Sequence, residues 1–129
     1  MIQTIKLGGI DKRLYQLIGP LVMDADVIRA NNNYPFKTSE NFTWFIVLDG
    51  KQVIGFVPVE KRGKQMIINN YYVGNDGEKI LSLILPEIVS EFGKEFTISS
   101  VTLLEDRKIF EQLGFKIEKE WKRYLKMKK

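Results

Sequence analysis

The sequence predicts an α/β (α+β) domain in which helices flank a mixed, mostly antiparallel sheet. Three observations predict it: an Asp-Gly pair between two β-rich runs, an amphipathic helical stretch, and a further β-rich run after that stretch. The 129 residues are 44% hydrophobic, which is enough apolar material for one core of ordinary size. We therefore expect a single domain spanning residues 1–129.

The N-terminal third of the chain reads as one strand followed by two helices. Residues 2–7 are predicted as a strand, and residues 11–18 and 20–30 as two helices. Pro20 is tolerated at a first helical position. The sequence thus predicts a helix break at Gly19-Pro20.

Three antiparallel strands are predicted in the middle of the chain. Residues 42–48 and 52–57 are joined by Asp49-Gly50, a pair that favours a tight hairpin turn. A second reversal leads into residues 65–73, predicted as one strand. Pro58 cannot donate a ladder hydrogen bond, so the strand that contains it should end or bulge there.

The C-terminal half alternates between helices and strands. Residues 80–92 place apolar side chains at spacings of three and four, with Asn75 or Asp76 available as the helix cap. A strand over 96–104, a short helix over 106–113 and one last strand over 115–127 follow. The predicted order is β-α-α-β-β-β-α-β-α-β, and its βαβ unit makes the fourth and fifth strands parallel.

Composition excludes several kinds of chemistry. The chain contains neither cysteine nor histidine, which excludes disulfides, a catalytic thiol, a Ser–His pair and a His/Cys metal site. We expect no metal. Without disulfides, a secretion signal or a long apolar run, the sequence favours a cytoplasmic protein that does not associate with membranes.

The positive charge is concentrated at the C-terminus. The net charge is +4, and seven basic residues lie between Lys116 and Lys129. Such a segment could contact nucleic acid. Lysines on the open face of a terminal strand also keep a domain soluble and discourage edge pairing, and this second interpretation is favoured.

Three local signatures, in this order and covering most of the chain, resemble the GNAT acetyltransferase superfamily. The first is Val53-Ile54-Gly55-Phe56-Val57, similar to the family's third strand. The second is Tyr71-Tyr72-Val73 followed by a glycine-bearing loop and a helix. The third is Phe110-Glu111-Gln112-Leu113-Gly114-Phe115, similar to the end of the family's last helix. The resemblance implies a GNAT-like fold and acyl transfer from acetyl-CoA to an amine.

A CoA site at the strand–loop–helix unit is implied by this resemblance. A helix N-terminus suits a diphosphate, and glycine allows close approach of the backbone. Two departures stand out: Gly74 occupies the place of the family's arginine or glutamine, and Lys79 that of its last small residue. A capped turn without ligand is the structural alternative. The implied CoA-binding residues are Tyr71, Tyr72, Val73, Gly74, Asn75, Asp76, Gly77, Glu78 and Lys79.

The catalytic groups are less clearly indicated. Glu60 and Glu105 are the carboxylates that the predicted topology places best for a general base, although surface solvation explains both. Phe110 stands where the family has its tyrosine acid, and phenylalanine has no proton to donate. Tyr71, Tyr72 and Tyr124 are possible substitute acids or packing residues.

The acceptor is expected on the opposite side of the site, beside the second helix. Aromatic side chains there suit a small amine or a peptide end, or they belong to the core: Tyr34, Phe36 and Trp44. The first functional hypothesis is an N-acyltransferase with a small-molecule amine or peptide acceptor. A GNAT-fold binding or interaction module without catalysis is the alternative, nucleic-acid binding is a distant third, and a homodimer is left open.

Overall fold

The computed structural model describes residues 1–74 and 76–129, which form one seven-stranded mixed sheet flanked by helices. The strand order is β1-β2-β3-β4-β5-β7-β6, and only β4 and β5 are parallel neighbours. The strands are β1 (Ile2–Gly8), β2 (Phe42–Asp49), β3 (Gln52–Arg62), β4 (Gln65–Ile68), β5 (Thr97–Leu103), β6 (Lys116–Glu120) and β7 (Tyr124–Lys128).

Helices cover both faces of this sheet. They are α1 (Lys12–Val22), α2 (Ala25–Ala30), α3 (Gly77–Phe92) and α4 (Arg107–Gln112), with a 3₁₀ turn over Leu104–Asp106 before α4. The predicted fold class is thereby confirmed, including the parallel fourth and fifth strands. Within the described residues, no helix is long and apolar enough to cross a membrane.

Each face of the sheet has its own apolar core. One core packs the buried stripe of α3, for example Leu81, Ile84 and Ile88, together with Phe110 of α4 against the strands. The other core packs Leu14 and Ile18 of α1 against β2 and β3 on the opposite face. The helical spacing read from the sequence therefore explains how α3 is held.

A β-bulge interrupts the strand that was predicted over residues 65–73. β3 pairs with this segment at Val59–Ile68 and again at Phe56–Tyr72. Residues 69–71 lie between these two points on the segment, whereas only residues 57–58 lie between them on β3, so the segment has one extra residue. Asn70 has a left-handed φ of 60°, a conformation that asparagine tolerates better than most residues. The predicted single strand is therefore wrong: β4 ends at Ile68.

Pro58 explains where this bulge occurs. The N–H of Phe56 bonds to the carbonyl of Tyr72, so Phe56 directs its main-chain groups away from β2. The main-chain groups of a strand alternate between its two sides with a period of two, so the nitrogen of Pro58 points to the same side as the N–H of Phe56. This nitrogen carries no hydrogen and cannot donate a bond there. β3 continues through Pro58 to Arg62 instead of ending there, and the irregularity predicted for β3 at this point lies on the neighbouring segment.

The predicted last strand is a hairpin of two strands. The chain reverses between β6 and β7, where the N–H of Trp121 bonds to the carbonyl of Tyr124 at 2.8 Å. Ile117 and Met127 are paired and face the same core. The core-facing residues therefore have odd numbers both before and after the reversal, as they would in one continuous strand. A turn at Lys122-Arg123 contains no glycine, proline or asparagine, and the sequence pattern therefore could not reveal it.

The break between the first two helices also differs from the prediction. α1 continues through Gly19-Pro20 to Val22, and the break follows at Met23-Asp24. Pro20 is exposed, so water can bond the carbonyl that loses its N–H partner. The carboxylate of Asp24 accepts from the N–H groups of Asp26 and Val27, and this N-cap fixes the start of α2.

Gly55 should be essential for the packing of α3 on the sheet. A Cβ at position 55 would lie 2.6 Å from Cγ2 of Ile80 and 3.1 Å from the carbonyl oxygen of Tyr72. We expect Gly55→Ala to lower the free energy of unfolding by about 1–3 kcal/mol through overpacking.

The matched control is Gly8→Ala at the exposed end of β1, because a Cβ placed there would meet no atom within 4 Å apart from its chain neighbours. That variant should stay within about 0.5 kcal/mol of wild type. Urea denaturation of the three proteins measures both effects. A Gly55→Ala variant as stable as wild type would contradict this packing.

Candidate functional site

The candidate site lies where β4 and β5 part. Their parallel pairing covers only Gln65–Ile68 and Thr97–Ser100, and the chain after Ile68 then bulges away towards β3. β5 continues to Leu103 beside β7. A gap therefore opens between residues 71–73 and the end of β5.

Backbone groups on one side of this gap make no hydrogen bond to any residue that the structure describes. The N–H and C=O of Tyr72 both bond to Phe56 on β3. Since main-chain groups of successive residues point to opposite sides of an extended segment, those of Tyr71 and Val73 point towards the gap. In the part of the chain that the structure describes, neither residue makes a backbone hydrogen bond. This edge can therefore accept an extended, amide-bearing ligand as an added strand.

The gap leads into a cleft of about 570 Å³. Its walls come from α2, the 71–74 segment, the start of α3, and the turn after β5. The lining residues are Asp26, Val27, Ala30, Tyr71, Tyr72, Val73, Gly74, Gly77, Glu78, Leu103, Glu105 and Asp106. Four of them are carboxylates, and among the described residues no lysine or arginine lines the cleft.

Most of the residues implied as a CoA site do line this cleft: Tyr71, Tyr72, Val73, Gly74, Gly77 and Glu78. Asp76 occupies the N-cap position of α3 without a side-chain cap bond, and Lys79 is exposed on the first turn of α3. Asn75 lies outside the described residues, so its predicted roles as cap and ligand stay predictions.

Gly77 has a structural reason for being glycine. A Cβ there would lie 3.0 Å from Oδ1 of Asp106 and 3.1 Å from Cγ2 of Val73. The sequence interpretation assigned this close approach to a phosphate group. In the structure, a carboxylate of the chain itself lies beside the start of α3, where it also interacts favourably with the helix dipole.

A buried hydrogen-bonded pair closes the inner end of the cleft. The hydroxyl of Tyr71 donates to Oδ2 of Asp106 at 2.6 Å and accepts from the backbone N–H of Leu103 at 3.0 Å. Tyr71 is 5% exposed and Asp106 is 7% exposed. The Tyr71 side chain thus spans from the segment after β4 to the end of β5.

Burial governs the ionisation of both groups. It raises the pKa of the Asp106 carboxyl, against the opposing effect of the hydrogen bond from Tyr71, and the charge of Glu105 raises this pKa further. Burial and the neighbouring Asp106 carboxylate raise the pKa of Tyr71 well above its ordinary value. Tyr71 therefore stays protonated, and a carboxyl with a raised pKa in a cleft is typical of proton-transfer sites.

Phe110, at the place of the family's tyrosine acid, does not line the cleft. Its side chain is 0% exposed and stacks on the ring of Tyr71, with 6.2 Å between the ring centroids. Phe115 packs edge-on against its other side at 5.2 Å. Phe110 is a core residue, and the phenol nearest to its position is that of Tyr71.

The two predicted bases have different locations. Glu105 lines the cleft in the turn after β5. Glu60 lies on β3 paired with Ile67 and forms an ion pair with Arg62 at 2.9 Å, outside the cleft. Only Glu105 is positioned to contact a ligand there, and the placement of Glu60 is corrected.

None of the three predicted acceptor-binding aromatics lines the cleft. Trp44 is 1% exposed and its Nε1 donates to Thr38, so it belongs to the core beneath α1. Phe36 packs edge-on against Phe56, with 5.0 Å between the ring centroids. Tyr34 is 61% exposed on the surface. Trp44 and Phe36 instead pack with Phe56 in the core on the α1 side of the sheet.

An amide network fixes the loop that follows α2. Nδ2 of Asn31 donates to the carbonyl of Tyr34 at 3.0 Å and to Oδ1 of Asn70 at 3.2 Å. Asn32 donates to the hydroxyl of Tyr124 and accepts from Arg123. The loop, the bulge and the turn between β6 and β7 are therefore tied together beside the gap.

Sequence reasoning missed Asp106 and the α2 wall of the cleft. Asp106 marked only the start of a short helix, and its partner Tyr71 is 35 residues away along the chain. Asp26, Val27 and Ala30 carried no motif. Such groupings depend on the tertiary fold, and no spacing in the sequence signals them.

Comparison with solved structures identifies the fold as that of the GNAT N-acetyltransferases. Escherichia coli ElaA aligns with a TM-score of 0.75 at 11% identity, covering 100% of this chain and 99% of that one. An acyl-CoA N-acyltransferase from Pseudomonas aeruginosa aligns at 0.72 with 11% identity, again over 100% and 99%. The E. coli ribosomal-protein-S18-alanine N-acetyltransferase aligns at 0.68 with 13% identity, over 98% and 90%.

No protein-family model matches the sequence, and no curated protein sequence matches it. Identities of this size establish the fold alone. The predicted GNAT-like fold is confirmed.

The raised pKa of Asp106 should make stability depend on pH. A carboxyl whose pKa is raised by folding binds its proton more tightly in the folded state, so wild-type stability rises as pH falls through that pKa. Asp106→Asn removes this dependence and keeps an oxygen that accepts from Tyr71. We expect this variant to gain more stability, relative to wild type, at about pH 7 than at about pH 4.

Urea denaturation of both proteins at the two pH values measures this difference. Asp26→Asn serves as the control, because that carboxylate is exposed. An equal effect of Asp106→Asn at both pH values would show that Asp106 titrates normally.

A hydroxyl added at Phe110 should be costly, because the ring is enclosed by Tyr71 and Phe115. We expect Phe110→Tyr to lower the free energy of unfolding by about 1–3 kcal/mol, the cost of a buried hydroxyl without a partner. The control is Phe36→Tyr, at a half-buried ring. Denaturation midpoints measure the difference, and an unchanged stability of Phe110→Tyr would mean that the cleft reaches this ring.

Proposed function

We propose that this protein is an N-acyltransferase that moves an acetyl group from acetyl-CoA to an amine. The observation that carries the proposal is the gap between β4 and β5, on whose edge the backbone groups of Tyr71 and Val73 have no hydrogen-bond partner among the described residues. The pantetheine arm of CoA is an extended chain with two amides, and it matches such an edge. The GNAT fold supports the same conclusion by analogy.

The two ends of acetyl-CoA fit this site unequally. The backbone of Tyr71 and Val73 would hold the arm, and the first turn of α3 with the exposed Lys79 would face the diphosphate. Glu78 and Asp106 stand close to that turn and repel an anion. We therefore expect the affinity for CoA to come chiefly from the arm.

The acceptor is proposed to be an amine on a small molecule or a peptide. Amines are cations in water, and the carboxylates of Asp26, Glu78 and Glu105 on the cleft wall favour a cation. One structural neighbour is a ribosomal-protein-S18-alanine N-acetyltransferase, which acts on a protein amine. An assay with a diamine and with peptides distinguishes a small-molecule acceptor from a peptide acceptor.

A second candidate function, a binding module without catalysis, is favoured by two specific observations. Phe110 is buried away from the cleft, and the cleft wall is acidic where CoA carries phosphates. Such a module would bind an amine or a protein segment and leave a thioester intact. Turnover therefore separates it from the first candidate.

Acetyl-CoA should stabilise the protein through the cleft. A ligand at about 100 times its Kd adds about 2.7 kcal/mol to the free energy of unfolding, so the melting temperature should rise with acetyl-CoA. Ala30→Phe places a ring on the cleft wall and should abolish this shift. Ala25→Phe is the matched control, because residue 25 is exposed on the same helix and does not line the cleft.

Transfer is measured separately, as thiol release from acetyl-CoA with a diamine, a peptide with a free N-terminus and a peptide with a lysine side chain. Stabilisation by acetyl-CoA with no thiol release would favour the binding module. The acetyltransferase proposal fails if acetyl-CoA at millimolar concentration neither stabilises the wild type nor reacts.

A further inference from the structure

We infer that this protein recognises its acyl donor by the pantetheine arm and disfavours the nucleotide end, so that a thioester of pantetheine is bound at least as tightly as acetyl-CoA. The inference rests on the proposed acyltransferase function and names the class of donor within it. The two ends of the cleft carry opposite chemistry: an uncharged backbone edge at the gap, and a group of carboxylates at the start of α3.

The gap between β4 and β5 suits an uncharged chain that contains amides. Tyr71 and Val73 are buried, and their N–H and C=O groups face the gap without a hydrogen bond to any described residue. Residues two apart in an extended segment are separated by about 7 Å, so two amides joined by a short methylene linker can bond to both. None of these bonds depends on what the arm carries at its far end.

The start of α3 would have to hold the diphosphate of CoA. Within the described chain, no residue accepts a hydrogen bond from the N–H groups of Gly77 and Glu78, and the side chain of Asp76 does not cap the helix. Free N–H groups at a helix start act as about half a positive charge, which attracts an anion. Whether a diphosphate binds there depends on the side chains around this turn.

Those side chains are mostly acidic. Lys79 is the one basic residue among the described residues that begin α3 or line the cleft. Four carboxyl groups oppose it, those of Asp76 and Glu78 at the start of α3 and of Glu105 and Asp106 after β5. The helix end and Lys79 supply about 1.5 positive charges, against four negative charges, or three when Asp106 is protonated. The balance is negative in both states and disfavours a diphosphate.

Asp106 opposes a phosphate in both of its protonation states. Its Oδ1 lies 3.0 Å from the position that a Cβ on Gly77 would take, so the carboxyl group packs on the first residue of α3. The hydroxyl of Tyr71 donates to Oδ2 at 2.6 Å and holds the group there. The ionised carboxylate repels an anion, and the protonated carboxyl still occupies the space beside Gly77.

The bonds that change during transfer lie at the other end of the donor. As the amine nitrogen bonds to the acyl carbon, the carbon–sulfur bond breaks, and the proton that nitrogen loses ends on the departing sulfur. The products are an amide and a thiol. These bonds are the same in S-acetylpantetheine, its phosphate ester and acetyl-CoA. Differences among the three donors therefore report what the far end meets at α3.

Titration calorimetry without an amine measures the affinity of the wild type for the three donors. We expect the affinity to fall as phosphates are added, with S-acetylpantetheine bound at least as tightly as acetyl-CoA. Raising the salt from about 0.1 M to about 1 M shortens the Debye length from about 10 Å to about 3 Å. Because salt screens repulsion, it should strengthen the binding of acetyl-CoA and leave that of S-acetylpantetheine unchanged.

Glu78→Gln removes one of the repelling charges. A unit charge at about 4 Å in water changes an equilibrium constant roughly fivefold, so this variant should bind acetyl-CoA up to about fivefold more tightly. Its affinity for S-acetylpantetheine should stay unchanged. The matched control is Glu87→Gln, because Glu87 is exposed on the same helix, about 14 Å further along, and does not line the cleft. That variant should bind both donors as the wild type does.

The outcomes separate the donor preference from the proposed function. Tighter binding of acetyl-CoA than of S-acetylpantetheine at about 0.1 M salt overturns the inference, as does acetyl-CoA binding that weakens with salt. An unchanged affinity of Glu78→Gln for acetyl-CoA, or failure of all three donors to bind, overturns it as well. In these cases, thiol release from acetyl-CoA with an amine leaves the acyltransferase function standing. Absence of transfer from every donor to every amine overturns both.

Discussion

The pairing of Pro58 with the bulge at Asn69-Asn70 is the constraint on which the site depends. Because Pro58 offers no N–H on that side of β3, the neighbouring segment gives up only the hydrogen bond to the Pro58 carbonyl by leaving the ladder at this point. Asn70 takes the left-handed conformation that the extra residue requires. The segment then rejoins β3 at Tyr72 and leaves the end of β5, after Ser100, without a strand partner on the side opposite β7. The gap, the free backbone edge and the position of Tyr71 all follow from this local irregularity.

Much of the fold was predictable because it rests on local periodicity. The Asp49-Gly50 hairpin, the apolar stripe of α3 and the β4–α3–β5 crossover each depend on residues close together in the chain. The hairpin of β6 and β7 was not predictable. Its core-facing residues have odd numbers on both sides of the turn, and the turn contains no glycine, proline or asparagine, so the sequence resembles one continuous strand. The end of α1 was misplaced because proline marked a break where solvent could satisfy the free carbonyl.

The site was predictable in its location and not in its chemistry. The strand–loop–helix unit identified the segment from Tyr71 to Glu78, and most of it lines the cleft. The interaction of Tyr71 with Asp106 joins residues from different elements, and only the packing of α3 beside the β5 turn brings them together. Trp44 and Phe36 were expected on the acceptor side or in the core, and their packing assigns them to the core.

The contact between Gly77 and Asp106 has an evolutionary consequence. Any side chain at position 77 would press on the carboxylate that Tyr71 holds in place, so the two positions cannot vary independently. Homologues with alanine or a larger residue at position 77 should carry a smaller residue at position 106, and those that retain the aspartate should retain the glycine. Such paired replacement would trace this buried contact through lineages whose overall sequences have diverged beyond recognition.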